Sequence, residues 1–284
     1  MIRKIITGVC VLMASLPVLA QENILIYVGP GAGPKSVANT LRTIKALAHP
    51  KYTIKTVTPD ELINPAWISN TALLIMPGGA DRPYVEKLSG KGNANIKQYV
   101  QNGGKYLGIC AGAYYSADRI EFAKDDPELE VTGERELKFF PGLVEGPTYA
   151  GFDHRDTQQV AGMRAAKILW HTEQPFAQNK EFTIFYNGGG HFVAAENYPS
   201  VIILARYGAE LPSQPQQPAA IIECAVGKGK AILSGPHFEW HHDSLEGDNK
   251  DLLQIKRNLA QQDTDRMNLA EHLLTRLGIA VRNT

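Results

Sequence analysis

Tyr106-Leu107-Gly108-Ile109-Cys110-Ala111-Gly112-Ala113 is the stretch whose reading decides the fold. A short apolar run leads into a cysteine flanked by Gly108 and Gly112, and small residues able to open a helix follow. The arrangement predicts a nucleophile elbow, a tight strand-to-helix turn that pushes one side chain out at the carboxyl edge of a sheet. Glycines suit the close strand–helix approach, which a Cβ would obstruct. A cysteine so placed sits where free backbone N–H groups favour the thiolate.

Upstream, strand and helix signals alternate. Asn23 to Val28 reads as a strand ending in the loop Gly29-Pro30-Gly31-Ala32-Gly33-Pro34. Val37, Leu41, Ile44 and Ala48 then recur at helical spacing. Tyr52 to Thr58 alternates like a strand. Thr71 to Met76 is continuously apolar, as in a strand buried on both faces, and ends in Pro77-Gly78-Gly79-Ala80-Asp81. Asn93 to Gln101 is helical in character, and Lys105 to Ile109 is the strand that enters the elbow. This order predicts an α/β fold with a doubly wound, mostly parallel sheet flanked by helices.

Residues 119–210 read as extra short strands and loops, with Phe182 to Tyr186 and Val201 to Tyr207 as the clearest strands. Ala219 to Val226 and Lys230 to Leu233 follow, joined by a hairpin at Gly227-Lys228-Gly229. Glu210 to Pro218, rich in proline and glutamine, reads as a solvent loop. A final helix presents Met267, Ala270, Leu273, Leu274 and Leu277 and stops at Gly278.

Residues 1–20 read as a signal peptide. Arg3 and Lys4 precede an apolar stretch that is shorter than the ~20 residues of a membrane span, and Val18-Leu19-Ala20 supplies a cleavage site. Export to a periplasm or medium is expected, with residues 21–284 forming a single domain. The 29 basic and 29 acidic residues balance, which gives no electrostatic reason to expect nucleic acid or, after leader cleavage, a membrane as partner. With 44% hydrophobic residues the chain can bury a substantial core. Of the cysteines beyond the leader, Cys224 falls in a buried strand and Cys110 on a turn, so they are not expected to pair.

A nucleophilic cysteine needs a base, an orienting acid and donors for an oxyanion. His237 and Glu239, two residues apart just after the strand ending near Leu233, can project to the same side of an extended segment. Glu239 would fix the tautomer of His237 while the ring faces Cys110. Ala111 N–H is one oxyanion donor, and Gly78 or Gly79, ending the neighbouring buried strand, is the second. Each such donor is worth about 3 kcal/mol in the transition state.

With these residues in view, the chain resembles the class I glutamine amidotransferase-like (flavodoxin-like) superfamily. Within it the chain resembles the amidotransferase-like N-terminal domain of biotin–protein ligases. The stretches that carry the likeness are Tyr27 to Gly31, Leu73 to Asp81, Gly108 to Tyr115, Phe139-Phe140-Pro141-Gly142, Tyr186 to Gly190 and Gly235 to Glu239; the tail beyond about Asp243 is not matched. The resemblance implies Cys110 as nucleophile, His237 as base and Glu239 as acid. Phe238 stands where amidotransferases commonly carry proline, which implies a freer loop. Nothing here resembles the Gly-Arg-Gly-Arg ATP loop of a biotin ligase, so biotin transfer by this chain alone is not expected.

Competing readings remain at this level. His237, Glu239, His241, His242 and Asp243 invite comparison with a metal site but match no metal spacing, and no cofactor is implied. The glycine loops match no phosphate-binding fingerprint. Tyr114, Tyr115, Asp81 and His191 lie where they reach the crevice or pack beneath it. The expected function is amide hydrolysis on a small-molecule or peptide amide, the alternative a catalytically silent ligand-binding or regulatory module.

Overall fold

The computed structural model describes residues 22–153, 160–171, 180–208, 211 and 216–282. The expected leader, residues 1–20, and most of the expected solvent loop at 210–218 lie outside the described residues. In chain order the strands are β1 (Asn23–Tyr27), β2 (Thr53–Val57), β3 (Thr71–Met76), β4 (Lys105–Ile109), β5 (Ala117–Phe122), β6 (Val131–Glu134) and β7 (Phe140–Gly146). They continue as β8 (Met163–Trp170), β9 (Lys180–Asn187), β10 (His191–Phe192), β11 (Val201–Tyr207), β12 (Ala219–Val226) and β13 (Gly229–Ser234). The helices are α1 (Pro34–Leu47), α2 (Pro59–Ile63), α3 (Asp81–Leu88), α4 (Lys91–Gln101), α5 (Ala111–Tyr114), α6 (Lys250–Gln261) and α7 (Asp263–Arg276).

All these strands join one mixed, open sheet whose main path runs β2-β1-β3-β4-β13-β12-β10-β7-β5-β6. From β2 to β13 every pairing is parallel. Beyond β13 the pairings are antiparallel, except for β5 beside β7. A branch of β11, β8 and β9 leaves β12, also antiparallel. The α/β sheet read from the sequence is therefore present, with its parallel half in the strands that alternate with helices.

That half is covered on both faces, and its side chains alternate between two cores as strand geometry requires. Ile24, Ile26, Leu73, Ile75, Leu107 and Ile109 pack with Ile44 and Leu47 of α1 and with Leu269, Leu273 and Leu274 of α7. On the other face Leu25, Tyr27, Leu74, Met76 and Tyr106 pack with Leu62, Tyr84, Leu88, Ile96 and Val100 from α2, α3 and α4. Fully buried parallel strands need continuous apolar sequence, which is why Thr71 to Met76 was recognisable.

Parallel register sends the carboxyl ends of β1, β3, β4 and β13 to one edge of the sheet. Met76 lies beside Gly108, and Ile109 beside Ser234. The residues that follow each strand, Gly78-Gly79, Cys110 and Gly235-Pro236-His237, thus meet in one crevice, where ligands bind in open α/β sheets.

Candidate active site

Cys110 follows β4 with φ 49° and ψ −104°, a backbone conformation that costs an L-residue about 1–3 kcal/mol. The turn is forced by proximity: a Cβ on Gly112 would lie 2.1 Å from the Met76 carbonyl oxygen, so only glycine lets α5 sit against β3. The helix after the elbow is shorter than a reader of the sequence would expect. It spans only Ala111–Tyr114, and the chain turns at once into β5. The donors at the elbow are therefore individual N–H groups, not the end of a long helix. Cys110 is 6% exposed, with its thiol 3.9 Å from the Asn187 carbonyl oxygen at the end of β9.

His237 Nδ1 lies 2.8 Å from Glu239 Oε1, and both side chains are buried. The ring stands beside Cys110, the two facing each other across Gly78. Because Nδ1 is engaged by the carboxylate, Nε2 is the atom left for the thiol. Burial alone pushes the imidazole down, but the charges of Glu239 and Cys110 and the polar contacts with both outweigh it and draw it up to about 10. The structure thus brings Cys110, His237 and Glu239 to one place.

Beneath this row lies Ser36, in the first turn of α1. Its hydroxyl donates to Glu239 Oε1 at 2.9 Å and accepts from Gly78 N–H, also at 2.9 Å. This changes the reading of the oxyanion donors. The Gly78 N–H, one of the expected pair, is already bonded to Ser36. The N–H groups of Gly79 and Ala111 meet no acceptor among the described residues. Gly78 matters instead through its missing side chain: a Cβ there would come within 2.4 Å of His237 Cε1 and 3.3 Å of Cys110 Cβ.

A second polar row supports Glu239 from behind. Its carbonyl oxygen accepts from Thr43 Oγ1 at 3.0 Å, and that hydroxyl meets His241 Nε2, also at 3.0 Å. His241 Nδ1 lies 3.1 Å from an Arg266 guanidinium nitrogen. Arginine can only donate, so Nδ1 accepts and the proton of the neutral ring sits on Nε2. Burial first, then the charges of Arg266 and Arg42, push His241 down to about 4 against the opposing Asp263 and Asp243. Asn39 Oδ1 accepts from the His241 backbone N–H at 3.0 Å and from Ser244 Oγ at 2.8 Å. His241 is thus tied to Thr43 and Arg266 rather than facing His237 and Glu239.

The loop around Phe238 is not freer for lacking proline. Phe238 is 2% exposed, its carbonyl oxygen accepts from buried Arg266 at 3.0 Å, and His237 N–H donates to the Phe185 carbonyl of β9 at 2.8 Å. An apolar anchor and two backbone bonds do the work of a ring constraint. Both Cys110 and Cys224 are free thiols; burial pushes Cys224 well up, away from reactivity.

A cavity of about 750 Å³ opens beside the thiol, with Cys110, Ala111, Gly78, Gly79 and His237 in its wall. Of the other residues singled out from sequence, Tyr114 lines this cavity, while Tyr115 is buried below and bonds Asn93. Asp81 is held by Arg135 at 2.6 Å, and His191 lies 3.4 Å from the Thr148 hydroxyl. Ser36, Phe185, Asn187 and Trp240 were not anticipated.

Known proteins resemble the chain along almost its whole length. The model of a family described as biotin-protein ligase, N terminal, matches residues 22–284, so the match continues through the tail that sequence reading left unassigned. A biotin–protein ligase of Schizosaccharomyces pombe is 36% identical over 259 residues, which are 91% of this chain and 38% of that protein. A protein of Chlamydia muridarum described as uncharacterized is 35% identical over 260 residues, 90% of this chain and 95% of that one. The chain therefore spans well under half of the ligase and nearly all of the chlamydial protein. Among solved structures, a ThuA-like protein from Bacteroides uniformis aligns with 90% of this chain and 94% of its own at 12% identity and a TM-score of 0.47.

Proposed function

The chain belongs to the biotin–protein ligase N-terminal family, and from that premise we propose that it is an exported thiol hydrolase of amides. The observation that carries the reading is the buried His237, bonded to Glu239 at 2.8 Å with Cys110 beside the ring across Gly78. A thiol beside a base that is itself oriented by a carboxylate is the arrangement nucleophilic catalysis needs. The leader-like residues 1–20 support export.

In this reading His237, drawn up to about 10, already holds on Nε2 the proton that Cys110 gives up, and the sulfur attacks the amide carbonyl carbon as a thiolate. Negative charge develops on the carbonyl oxygen, where the N–H groups of Ala111 and Gly79 stabilise it. His237 then gives its proton to the departing nitrogen, the C–N bond breaks, and an acyl thioester remains on Cys110. Water, deprotonated by the now neutral His237, cleaves the thioester to the acid and restores the thiol. Glu239 keeps the imidazole in one orientation throughout, and Ser36 keeps Glu239 in place. The chain covers 38% of the matched ligase's length, and that protein's ligase activity is not ascribed to it.

Release of ammonia or amine from a panel of amides tests the proposal. Wild-type protein should turn over at least one of them. Cys110→Ser should abolish that turnover while leaving the thermal melt close to wild type. Turnover unchanged in Cys110→Ser would refute it.

A further inference from the structure

The cavity beside Cys110 is poorly matched to the substrate that the glutamine-hydrolysing relatives of this fold would suggest. Its volume, about 750 Å³, lies in the upper part of the roughly 300–1,000 Å³ range of sites for drug-sized ligands. A free glutamine would leave most of it filled with water.

Its walls are apolar and aromatic. On the side of the elbow, Tyr114 packs edge-on against Phe122 at 5.6 Å between ring centroids, and Phe122 against Phe152 at 5.5 Å. On the side of the base, Phe185 lies 4.7 Å from Trp240, and both contact the His237 ring. All of these residues line the cavity. Met163 and Leu252 extend the second wall from the apolar cluster under α6.

Charge is arranged in the same sense. The Asp81 carboxylate is neutralised by buried Arg135, and Lys35 pairs with Glu246 at the exposed rim. These two pairs answer each other; beyond His237, the other charged residues of the lining are Arg82 and Glu128, which are exposed, and Asp153, which is half-buried. A zwitterion carried into apolar walls would lose hydration without recovering it, whereas an uncharged ring or branched chain would gain by burial.

We propose that the site takes an amide whose acyl part is large, uncharged and apolar, about the size of a blocked hydrophobic amino acid or dipeptide, in preference to free glutamine. This rests on Cys110 being the nucleophile only for turnover; the binding preference stands on the cavity itself.

Two measurements on the full chain separate the two ideas. Calorimetric binding of benzyloxycarbonyl-phenylalaninamide and of glutamine to the Cys110→Ala variant reports the preference without chemistry. Turnover of both compounds by the wild type reports the chemistry. The blocked phenylalaninamide is expected to bind at least about tenfold more tightly than glutamine, the scale on which apolar pockets discriminate. Met163→Lys, which sets a charge in the wall, should cut its binding by a similar factor; Val131→Lys, on the facing wall, serves if the first variant melts early. Tighter binding without turnover of either compound supports the inference and counts against the hydrolase. Glutamine bound as tightly as the blocked amide overturns the inference, and turnover of both at equal efficiency would then leave the hydrolase standing alone.

Discussion

The Ser36 hydroxyl and the His237 imidazole share one oxygen of Glu239, Oε1, at 2.9 and 2.8 Å. The other oxygen, Oε2, is buried and has no partner among the described residues. Oε1 therefore carries the described side-chain contacts of the carboxylate, and Ser36 is the group that fixes where it stands. The same hydroxyl accepts from Gly78 N–H, so one residue of α1 braces both the acid and the strand end beside the nucleophile.

Replacing Ser36 by Ala should cost activity without costing affinity. A hydrogen bond to a charged group is worth about 1.5–3 kcal/mol, which corresponds to a fall in kcat of roughly 10- to 100-fold if the imidazole is held through it. KM should change little, because no wall of the cavity is removed. The Gly78 N–H, left buried and unpaired, should lower stability by about 1–3 kcal/mol. Steady-state kinetics and urea unfolding read both effects; an unaltered kcat would remove Ser36 from the machinery.

Ser36 also shows where sequence reading ran out. The parallel half of the sheet was legible because strands buried on both faces must be apolar throughout, and Cys110 because its flanking glycines have few other uses. Helix α1 was legible as a helix, from Val37, Leu41, Ile44 and Ala48, but not as a wall of the site. Its buried face is instead led by Ser36, Asn39, Thr40 and Thr43, a polar stripe at helical spacing that periodicity in apolar residues cannot detect. Ser36, Asn39 and Thr43 of that stripe hydrogen-bond Glu239, His241 and Ser244, some two hundred residues away in sequence, while Thr40 Oγ1 is buried with no partner among the described residues. Strands β5 to β8 were blurred into short strands and loops for a related reason: their pairing partners, among them β7 for β5 and β9 and β11 for β8, are set by tertiary arrangement. Gly78 or Gly79 is expected as an oxyanion donor, but the Gly78 N–H is taken by Ser36, and what Gly78 adds beside the thiol is space.

That space gives a second prediction. Gly78 has no left-handed φ, so its backbone would accept alanine, but a Cβ would sit 2.4 Å from His237 Cε1. Gly78→Ala should leave the fold intact and displace the base, with a loss of the order of 10²–10⁴ in kcat, the usual worth of a positioned general base. Gly79→Ala is the contrast. Its Cβ would lie 1.9 Å from the Gly31 carbonyl oxygen, at φ 148°, so it should lower the melting temperature as well. Wild-type kcat in Gly78→Ala would mean that His237 does not act from its observed position.

The two buried histidines should shape stability against pH in opposite directions. His241 is held down to about 4, below the ordinary value of about 6.5. Its neutral form therefore stabilises the fold fully above that ordinary value, and the contribution is lost as pH falls through about 4. His237 is drawn up to about 10, so its proton stabilises the fold below about 6.5 and that contribution is lost as pH rises through about 10. Urea unfolding at stepped pH should show a wild-type decline on both sides. His241→Gln should flatten the acid side and His237→Gln the alkaline side. An acid slope unchanged in His241→Gln would show that other groups govern it.

Backbone strain at Cys110 can be read separately from its chemistry by comparing two inactive variants. Alanine and glycine both remove the thiol, but alanine keeps a Cβ at φ 49°, ψ −104° and glycine does not. The strained conformation costs an L-residue about 1–3 kcal/mol, against which glycine loses about 0.5–1 kcal/mol through its freer unfolded chain. The balance favours glycine by about 1 kcal/mol, or roughly 2–4 °C in melting temperature for a domain of this size. Cys110→Gly should therefore melt above Cys110→Ala, with neither variant turning over amides. This ordering is unusual, since glycine normally weakens a fold where alanine fits, and it follows only if the elbow holds its nucleophile in a conformation that the rest of the sheet imposes. Equal melting temperatures, or a lower one for glycine, would mean that the turn costs nothing and that Cys110 is placed by sequence-local preference alone.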